Sequence, residues 1–127
     1  MTGEAAKLGN TIQALRPVLP ARDFELSRRF YADLGFELRS LTADLVEIRL
    51  GSACFLLQNY YVKQWADNCV LHLLVSDVRL WWDHIVTRAL EARYGVKTRA
   101  PQREAWGLVA GIVDPSGVLW RITETAI

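Results

Sequence analysis

Two polar side chains interrupt apolar, strand-like stretches of the sequence and are the first candidates for chemistry. Glu47 lies within residues 45–50, and His72 lies within residues 70–75. A carboxylate and an imidazole can both ligate a metal ion, so the two residues are candidate ligands. A polar residue on an apolar strand is also a common hydrogen-bonding group in a groove or an interface, and we favour this second interpretation.

Other catalytic arrangements have little support in the sequence. His84 stands beside Asp83 in a predicted helix, where we expect a solvated surface histidine. No Ser-His-Asp or Cys-His arrangement has an informative spacing, and no glycine-rich phosphate loop is present. Cys54 and Cys69 lie in apolar, strand-like runs, so we expect two buried free thiols and no disulfide.

A second kind of candidate site consists of aromatic and amide side chains that could bind a planar molecule. Trp106 precedes Gly107 at a loop-to-strand junction, where its flat face could be open to a ligand. It could equally pack in the core or at a dimer interface. Gln58 ends a predicted strand on the groove side and could hydrogen-bond a ligand. The following loop contains aromatic residues that could line the mouth of a groove or pack across a dimer: Tyr60, Tyr61 and Trp65.

The elements that would position these residues begin with a strand–helix–strand unit at residues 15–36. An apolar run ends at Pro20, and Asp23 is predicted to cap a helix by accepting hydrogen bonds from free backbone N–H groups. Leu26, Phe30 and Leu34 recur every four residues and give the helix an apolar face. Gly35 is predicted to end the helix.

The remaining chain predicts three more strands and then a second copy of the same order. Strands are expected at residues 36–38, 45–50 and 53–58, followed by a loop at 59–68. The second copy has a strand at 70–75, a helix from Asp77 to Gly95, a strand at 96–100, a polar loop at 102–104, and strands at 107–113 and 118–123 joined by a type I turn. The predicted fold class is α+β, with two βαβββ repeats at about 12–58 and 69–124 forming curved mixed sheets, a concave groove, and helices on the outer face.

Composition limits the classes of function. A chain of 127 residues with 51% apolar content fits one domain, which we place at residues 12–127 after a flexible, polar lead-in at 1–11. The lead-in has no apolar signal region and no apolar run reaches the roughly 18 residues of a membrane span, so we expect a cytoplasmic protein without a membrane partner. The net charge of +1 gives no basis for binding nucleic acid.

The order of these motifs resembles the glyoxalase/bleomycin-resistance/dioxygenase (vicinal oxygen chelate) superfamily over residues 15 to 124. Arg22-Asp23 opens a helix that continues through Phe30-Tyr31 to Leu34-Gly35-Phe36, and residues 113–117 resemble the final hairpin. Within the superfamily the chain is most similar to the bleomycin-resistance proteins, through residues 17–23, Asp67-Asn68, Trp106-Gly107 and residues 113–115.

Enzymes of this superfamily bind a divalent metal on the concave face, and the resemblance indicates where those ligands would stand. The positions fall at Arg16, within residues 55–57, at Leu71 and at Arg121. A guanidinium does not deprotonate to ligate a metal, and leucine offers no lone pair. We therefore expect no metal, no cofactor and no catalytic residue. A metal-dependent lyase or transferase of the glyoxalase or fosfomycin-resistance kind stays as an alternative, as does a structural dimer without a ligand.

The bleomycin-resistance proteins are homodimers that sequester a drug in clefts between subunits without chemistry. The resemblance implies that this chain binds a small, partly planar molecule in the same way, with exchange of the N-terminal strand as one possible dimer mode. Trp106 matches the stacking tryptophan of those proteins. Asp67 matches an acidic position at their cleft, although it could also be a turn aspartate that pairs with Asn68. The expected ligand-binding residues are Arg39, Gln58, Tyr60, Asp67, His72, Trp106 and Gly107.

Three features depart from the bleomycin-resistance pattern. Ser40 stands where a second stacking aromatic residue is expected. His72 stands where those proteins have an aromatic residue. Arg39 and Arg49 flank the predicted groove strands and would repel a cationic drug, whereas the drug-binding proteins are acidic. Either the arginines form a solvated face, or the ligand is anionic or neutral.

Overall fold

The computed structural model describes residues 2–125, which form two four-stranded sheets and five helices. The eight strands and the main helix of each repeat follow the order predicted for two βαβββ repeats. The first sheet has the strand order β1-β4-β3-β2, and the second has the equivalent order β5-β8-β7-β6. In each sheet the first pair is parallel and the other two are antiparallel. The predicted α+β class is therefore confirmed. The strands are β1 Val18–Pro20, β2 Glu37–Thr42, β3 Leu45–Leu50, β4 Ala53–Gln58, β5 Val70–Leu74, β6 Thr98–Glu104, β7 Gly107–Val113 and β8 Leu119–Thr125, and the helices are α1 Gly3–Gly9, α2 Phe24–Leu34, α3 Lys63–Asp67, α4 Val78–Thr87 and α5 Leu90–Tyr94.

The predicted caps begin the main helix of each repeat. The side chain of Asp23 accepts a hydrogen bond from the backbone N–H of Leu26 at 3.1 Å, and Asp77 accepts from that of Leu80 at 3.1 Å. These bonds satisfy N–H groups that have no partner within the helix. Gly35 ends α2 with a left-handed φ of 117°.

The second repeat departs from the prediction of one continuous helix up to Gly95. Helix α4 ends at Thr87, and Ala89 takes a left-handed conformation with φ of 52° before α5 begins. The break turns α5 against α2, where Arg93 donates to Asp33 at 2.8 Å and the hydroxyl of Tyr94 donates to the same carboxylate. Packing between the repeats therefore overrides the helical periodicity of the sequence.

Three segments predicted as irregular contain regular structure. The predicted polar loop at 102–104 is wrong, because β6 continues to Glu104; it is an edge strand with a bulge between Arg99 and Gln102, and an edge tolerates polar side chains. The predicted loop at 59–68 contains α3. An ion pair between Lys63 and Asp67, at 2.5 Å, joins the two ends of this helix. The N-terminal lead-in contains α1, and none of its residues is buried.

A buried hydrogen-bond network joins the two repeats. The hydroxyl of Tyr31 on α2 donates to Asp114 Oδ2 at 2.6 Å, and the indole Nε1–H of Trp120 on β8 donates to the Tyr31 oxygen at 3.0 Å. Asp114 Oδ1 accepts from the backbone N–H groups of Ser116 at 2.8 Å and Val118 at 3.0 Å. Burial, followed by the charge of Asp114, raises the pKa of Tyr31 well above its usual value, so the phenol keeps the proton it donates.

The turn between β7 and β8 also contacts the start of the first repeat. The backbone N–H of Arg22 donates to Ser116 Oγ at 2.9 Å, and the hydroxyls of Ser27 and Ser116 lie 3.3 Å apart. The predicted turn at residues 114–117 is therefore a contact between repeats as well as a hairpin. Within residues 2–125, no helix is both long and apolar enough to cross a membrane.

Replacement of Tyr31 by phenylalanine tests the network. The Tyr31→Phe variant leaves a buried carboxylate without one donor, so we expect the free energy of unfolding to fall by about 1–3 kcal/mol. Urea denaturation measures the change. The matched control is Tyr94→Phe, whose partner Asp33 keeps Arg93 as a donor. Equal losses in the two variants would contradict a special role for Tyr31.

Candidate functional site

Each sheet has one side away from the buried core, and we call these sides the open faces. On β3 and β4 the side chains of Val46, Ile48, Phe55 and Leu57 are buried, so the alternate residues point to the other side. Strand register places Arg39, Glu47 and Leu56 opposite one another on the first open face. It likewise places His72, Arg121, Gly111 and Arg99 in one row on the second open face.

Glu47 is the centre of an ion-pair cluster on the first open face. Its Oε2 lies 2.6 Å from Arg16 Nη1 and 3.3 Å from Arg39 Nη2, and its Oε1 lies 3.7 Å from Arg49 Nε. Burial acts to raise the pKa of Glu47, but the hydrogen bond and charge of Arg39, with Arg16 and Arg49, outweigh it and lower that pKa. Three guanidinium groups share one carboxylate, so the cluster carries a net positive charge.

The residues at the metal positions do not form a metal centre. Arg16 is committed to Glu47, and Leu71 is half-buried with no ligating atom. Glu47 and His72 lie in different sheets, and the oxygens of Glu47 face arginines. In the described part of the chain, no group of three or more His, Cys, Asp or Glu side chains could hold a metal ion. The donor set therefore does not fit the metal of the superfamily's enzymes.

Trp106 lies at the tip of the β6–β7 hairpin, with 55% of its surface exposed. The following residue, Gly107, has φ of 148°, and a Cβ atom there would lie 2.2 Å from the carbonyl oxygen of Glu124 on β8. Only glycine allows this approach of the hairpin to β8. Gly107 therefore fixes the position from which Trp106 projects.

The other predicted binding residues occupy separate places. Gln58 ends β4 and is half-buried on the first open face, and Tyr60 follows it with 56% exposure. Asp67 pairs with Lys63 and lies beside Gly117 of the β7–β8 turn. The alternative that Asp67 pairs with Asn68 is wrong, because the Asn68 amide donates to the carbonyl of Gln64 at 2.7 Å.

The predicted site residues are therefore not gathered in one pocket of the single chain. Arg39 and Gln58 share the first open face, His72 is exposed on the second, and Trp106 lies at the end of the second sheet. None of the five described surface cavities has any of the predicted binding residues in its lining.

Two cavities involve residues that the sequence did not indicate as binding residues. An apolar groove of about 280 Å³ lies between α2 and α4 and is lined by Leu34, Leu80, Trp81 and His84, among others. His84 is half-buried, with Nε2 3.0 Å from the carbonyl oxygen of Asp33, so the prediction of a solvated histidine is wrong. The second cavity, of about 180 Å³ on the second open face, includes Lys97, Arg99 and Arg121. Lys97 and Arg99 alternate within the strand predicted at 96–100, but nothing in the sequence indicated that Arg121 on β8 would lie in the same row.

Comparisons with known proteins identify the fold. No protein-family model matches the sequence, and a search of curated proteins finds no match. A bleomycin resistance determinant encoded on transposon Tn5 is 22% identical, with a TM-score of 0.74 over 91% of this chain and 100% of that one. The bleomycin-binding protein of Streptomyces verticillus, solved with copper(II)-bleomycin, is 22% identical, with a TM-score of 0.73 over 90% of this chain and 98% of that one.

An enzyme also shares this architecture. A lactoylglutathione lyase from Agrobacterium tumefaciens is 21% identical, with a TM-score of 0.64 over 89% of this chain and 94% of that one. The chain therefore has the glyoxalase/bleomycin-resistance/dioxygenase fold, as the sequence predicted. Because binding proteins and an enzyme share it, the fold does not decide the function.

The role of Gly107 can be tested by adding one methyl group. In Gly107→Ala the new Cβ would collide with the Glu124 carbonyl, so we expect a loss of about 3 kcal/mol in unfolding free energy. The control is Gly51→Ala, where φ is also positive but nothing lies within 4 Å. Urea denaturation compares them. A loss in Gly107→Ala no larger than in the control would show that the close approach is unimportant.

The lowered pKa of Glu47 predicts a dependence of stability on pH. An acid whose pKa is lowered on folding contributes stability above its unfolded pKa of about 4.3, and the contribution is lost as pH falls through the folded pKa. The difference in unfolding free energy between wild type and Glu47→Gln should thus be largest near neutral pH and should shrink below pH of about 4.

The exposed Glu25, which pairs with Arg28 on α2, provides the control for this experiment. We expect Glu25→Gln to change stability little at any pH, because exposed ion pairs contribute little. If the difference caused by Glu47→Gln is the same in acid as at neutral pH, the arginine cluster does not hold Glu47 ionised.

Proposed function

We propose that this protein binds and sequesters a small, partly planar molecule without a chemical step, in clefts between two copies of the chain. Bleomycin-type antibiotic resistance is the corresponding biological role. The ligand-binding residues in this proposal are those predicted from the sequence, with Trp106 as the stacking surface and Arg39, Gln58, Tyr60, Asp67 and His72 around the cleft. Gly107 contributes by fixing the backbone next to Trp106.

The exposure of Trp106 is the observation that carries the proposal. A tryptophan that presents 55% of its surface at a hairpin tip has a large apolar area without a partner in its own chain. Its neighbour Gly107 is buried against β8, so the indole is attached to a fixed backbone. A rigid, flat, amphipathic side chain binds planar molecules at a low cost in conformational entropy.

Two further observations favour binding over catalysis. The tested metal positions carry arginine and leucine, so the Lewis-acid chemistry of the superfamily's enzymes has no ligand set here. Among the compared structures, the protein encoded on the Tn5 transposon is a bleomycin resistance determinant, and the protein of Streptomyces verticillus is a bleomycin-binding protein. We extend that kind of ligand to this chain as a proposal.

A second copy of the chain would cover apolar side chains that are exposed in the single chain. On the edge strand β5, Val70 and Leu74 are 49% and 59% exposed, and Leu15 before β1 is 91% exposed. Burial of such side chains favours association, and a dimer would bring the open faces of two copies together. The proposal includes a cytoplasmic location, which is in keeping with free Cys54 and Cys69.

Calorimetric titration of two probes tests the proposal. Metal-free and copper-loaded bleomycin test the drug, and N-phenyl-1-naphthylamine tests an uncharged planar ring system. We expect at least one probe to bind with a Kd of about micromolar, and Trp106→Ala to weaken that binding about tenfold because a stacking surface is lost. The control is Leu80→Ala, which removes a side chain that is 66% exposed on α4.

Each outcome bears on a different part of the proposal. Binding of bleomycin that depends on Trp106 would support drug sequestration. Binding of the uncharged probe alone would keep a planar ligand and remove bleomycin. Absence of saturable binding by every probe would overturn the proposed function, and binding that Leu80→Ala weakens as much as Trp106→Ala would remove Trp106 from the site.

A further inference from the structure

We propose that the ligand is an anion, and that its anionic group binds in the cavity of Lys97, Arg99 and Arg121 on the second open face. The inference rests on the proposed binding of a small, partly planar molecule and narrows that ligand to one chemical class, which excludes a cationic drug of the bleomycin type. That class is an oxyanion, such as a carboxylate, a sulfonate or a phosphate monoester, attached to an aromatic body of which about one ring enters the cavity.

The strand register builds a gap between two arginines. Arg99 on β6 is the register partner of Gly111 on β7, and Gly111 is the partner of Arg121 on β8. Neighbouring strands lie about 4.8 Å apart, so the two arginines are about 10 Å apart at their backbones. Because Gly111 has no side chain, the space between the guanidinium groups stays open. This spacing allows both groups to donate to one oxyanion.

The charges lining this cavity are positive. Lys97, Arg99 and Arg121 are among its lining residues, and no acidic residue is. Arg99 Nη2 donates to Gln102 Oε1 and lies 3.4 Å from Glu104 Oε1, so this arginine already pairs with one carboxylate. Within residues 2–125, neither Lys97 nor Arg121 forms an ion pair with a carboxylate. The donors of Lys97 and Arg121 are therefore available to a ligand, whereas Arg99 is partly committed to Gln102 and Glu104.

The remaining wall of the cavity is apolar. Val109, Val113 and Leu119 contribute to the lining beside the charged side chains. An apolar cavity of about 150 Å³ is large enough for benzene, and this one measures about 180 Å³. The combination suits a molecule with a ring-sized apolar part and an anionic group, since an inorganic ion would leave the apolar wall without a partner.

The first open face has the same sign of charge. Two carboxylates, those of Glu47 and of Glu37 opposite Arg49, share this face with the guanidinium groups of Arg16, Arg39 and Arg49. One positive charge remains in excess there, although the whole chain has a net charge of only +1. Positive charge is thus in excess on both open faces. If a second copy closes the cleft over these faces, as proposed above, the electrostatic field inside the cleft attracts anions and repels a cationic drug.

Two fluorescent probes of the same aromatic framework test the inference. 8-Anilinonaphthalene-1-sulfonate carries one negative charge, and N-phenyl-1-naphthylamine carries none. We expect the sulfonate to bind wild-type protein more tightly, and the Lys97→Gln, Arg121→Gln double variant to weaken its binding at least about tenfold while changing the uncharged probe little. The control is Arg79→Gln, which removes an exposed arginine of α4 and should change neither affinity.

A third variant tests the location independently of charge. A Cβ at Gly111 would make only ordinary contacts, 3.7 Å from Arg99 Cβ and from the Trp120 carbonyl oxygen, so Gly111→Val should fold and occupy the cavity. We expect it to weaken the sulfonate by a similar factor. Circular dichroism checks the fold, and a variant that loses it is replaced by Gly111→Ala.

The outcomes separate this inference from the proposed function. If the uncharged probe binds as tightly as the sulfonate, or if the double variant weakens both probes equally, the anion site is wrong and planar-ligand binding stands. If neither probe binds the wild-type protein, the anion site is wrong, and the proposed function fails as well only if bleomycin also does not bind. If the sulfonate binds and Arg79→Gln weakens it as much as the double variant, the attraction comes from overall charge and the cavity has no special role.

Discussion

The hydrogen bond between Tyr31 and Asp114 connects two sheets that share no strand pairing in the described chain. Tyr31 belongs to the helix of the first repeat, and Asp114 belongs to the turn that joins the last two strands of the second. The other oxygen of Asp114 accepts two backbone N–H groups within that turn. One buried carboxylate therefore fixes both the shape of the turn and its position against α2, and a buried polar network of this kind tolerates few alternative arrangements.

The open faces follow from this arrangement. With the aromatic residues Phe30, Tyr31, Phe55 and Trp120 packed on one side, the sheets present their alternate residues on the other. Those residues are charged at several adjacent positions, and the charges are mostly positive. The Asp114 turn joins β7 to β8 in the register that pairs Gly111 with Arg121, and the β6–β7 hairpin places Arg99 opposite Gly111. The buried network is thus the structural basis for the charged surface where we propose that a ligand binds.

Much of the fold could be predicted from the sequence because its signals were local. Asp23, Asp77 and Gly35 are caps whose chemistry acts within a few residues, and the alternation of residues 45–50 and the mostly apolar run at 53–58 indicate two strands directly. Contacts between repeats gave no such signal. Ala89 interrupts a helical pattern so that α5 can reach Asp33, and β6 extends through polar residues because β7 provides its hydrogen bonds.

The candidate site was less predictable for the same reason. Trp106 and Gly107 could be selected from their own neighbourhood, and the structure gives Gly107 a steric role against Glu124 that the sequence could not show. Arg99 and Arg121 are distant in the chain and become neighbours only through strand register. His84 is polar and beside Asp83, yet its partner is a backbone carbonyl on another helix. Charge patterning along one strand does not reveal such pairs.

The most direct test of the account is to locate a bound aromatic anion by backbone-amide NMR during titration with 8-anilinonaphthalene-1-sulfonate. The account predicts the largest shifts at Arg99, Gly111 and Arg121, together with the indole N–H of Trp106. The apolar groove between α2 and α4 is the competing location for an aromatic ring. Shifts confined to Leu34, Leu80 and Trp81, with the open faces unchanged at saturation, would contradict the account.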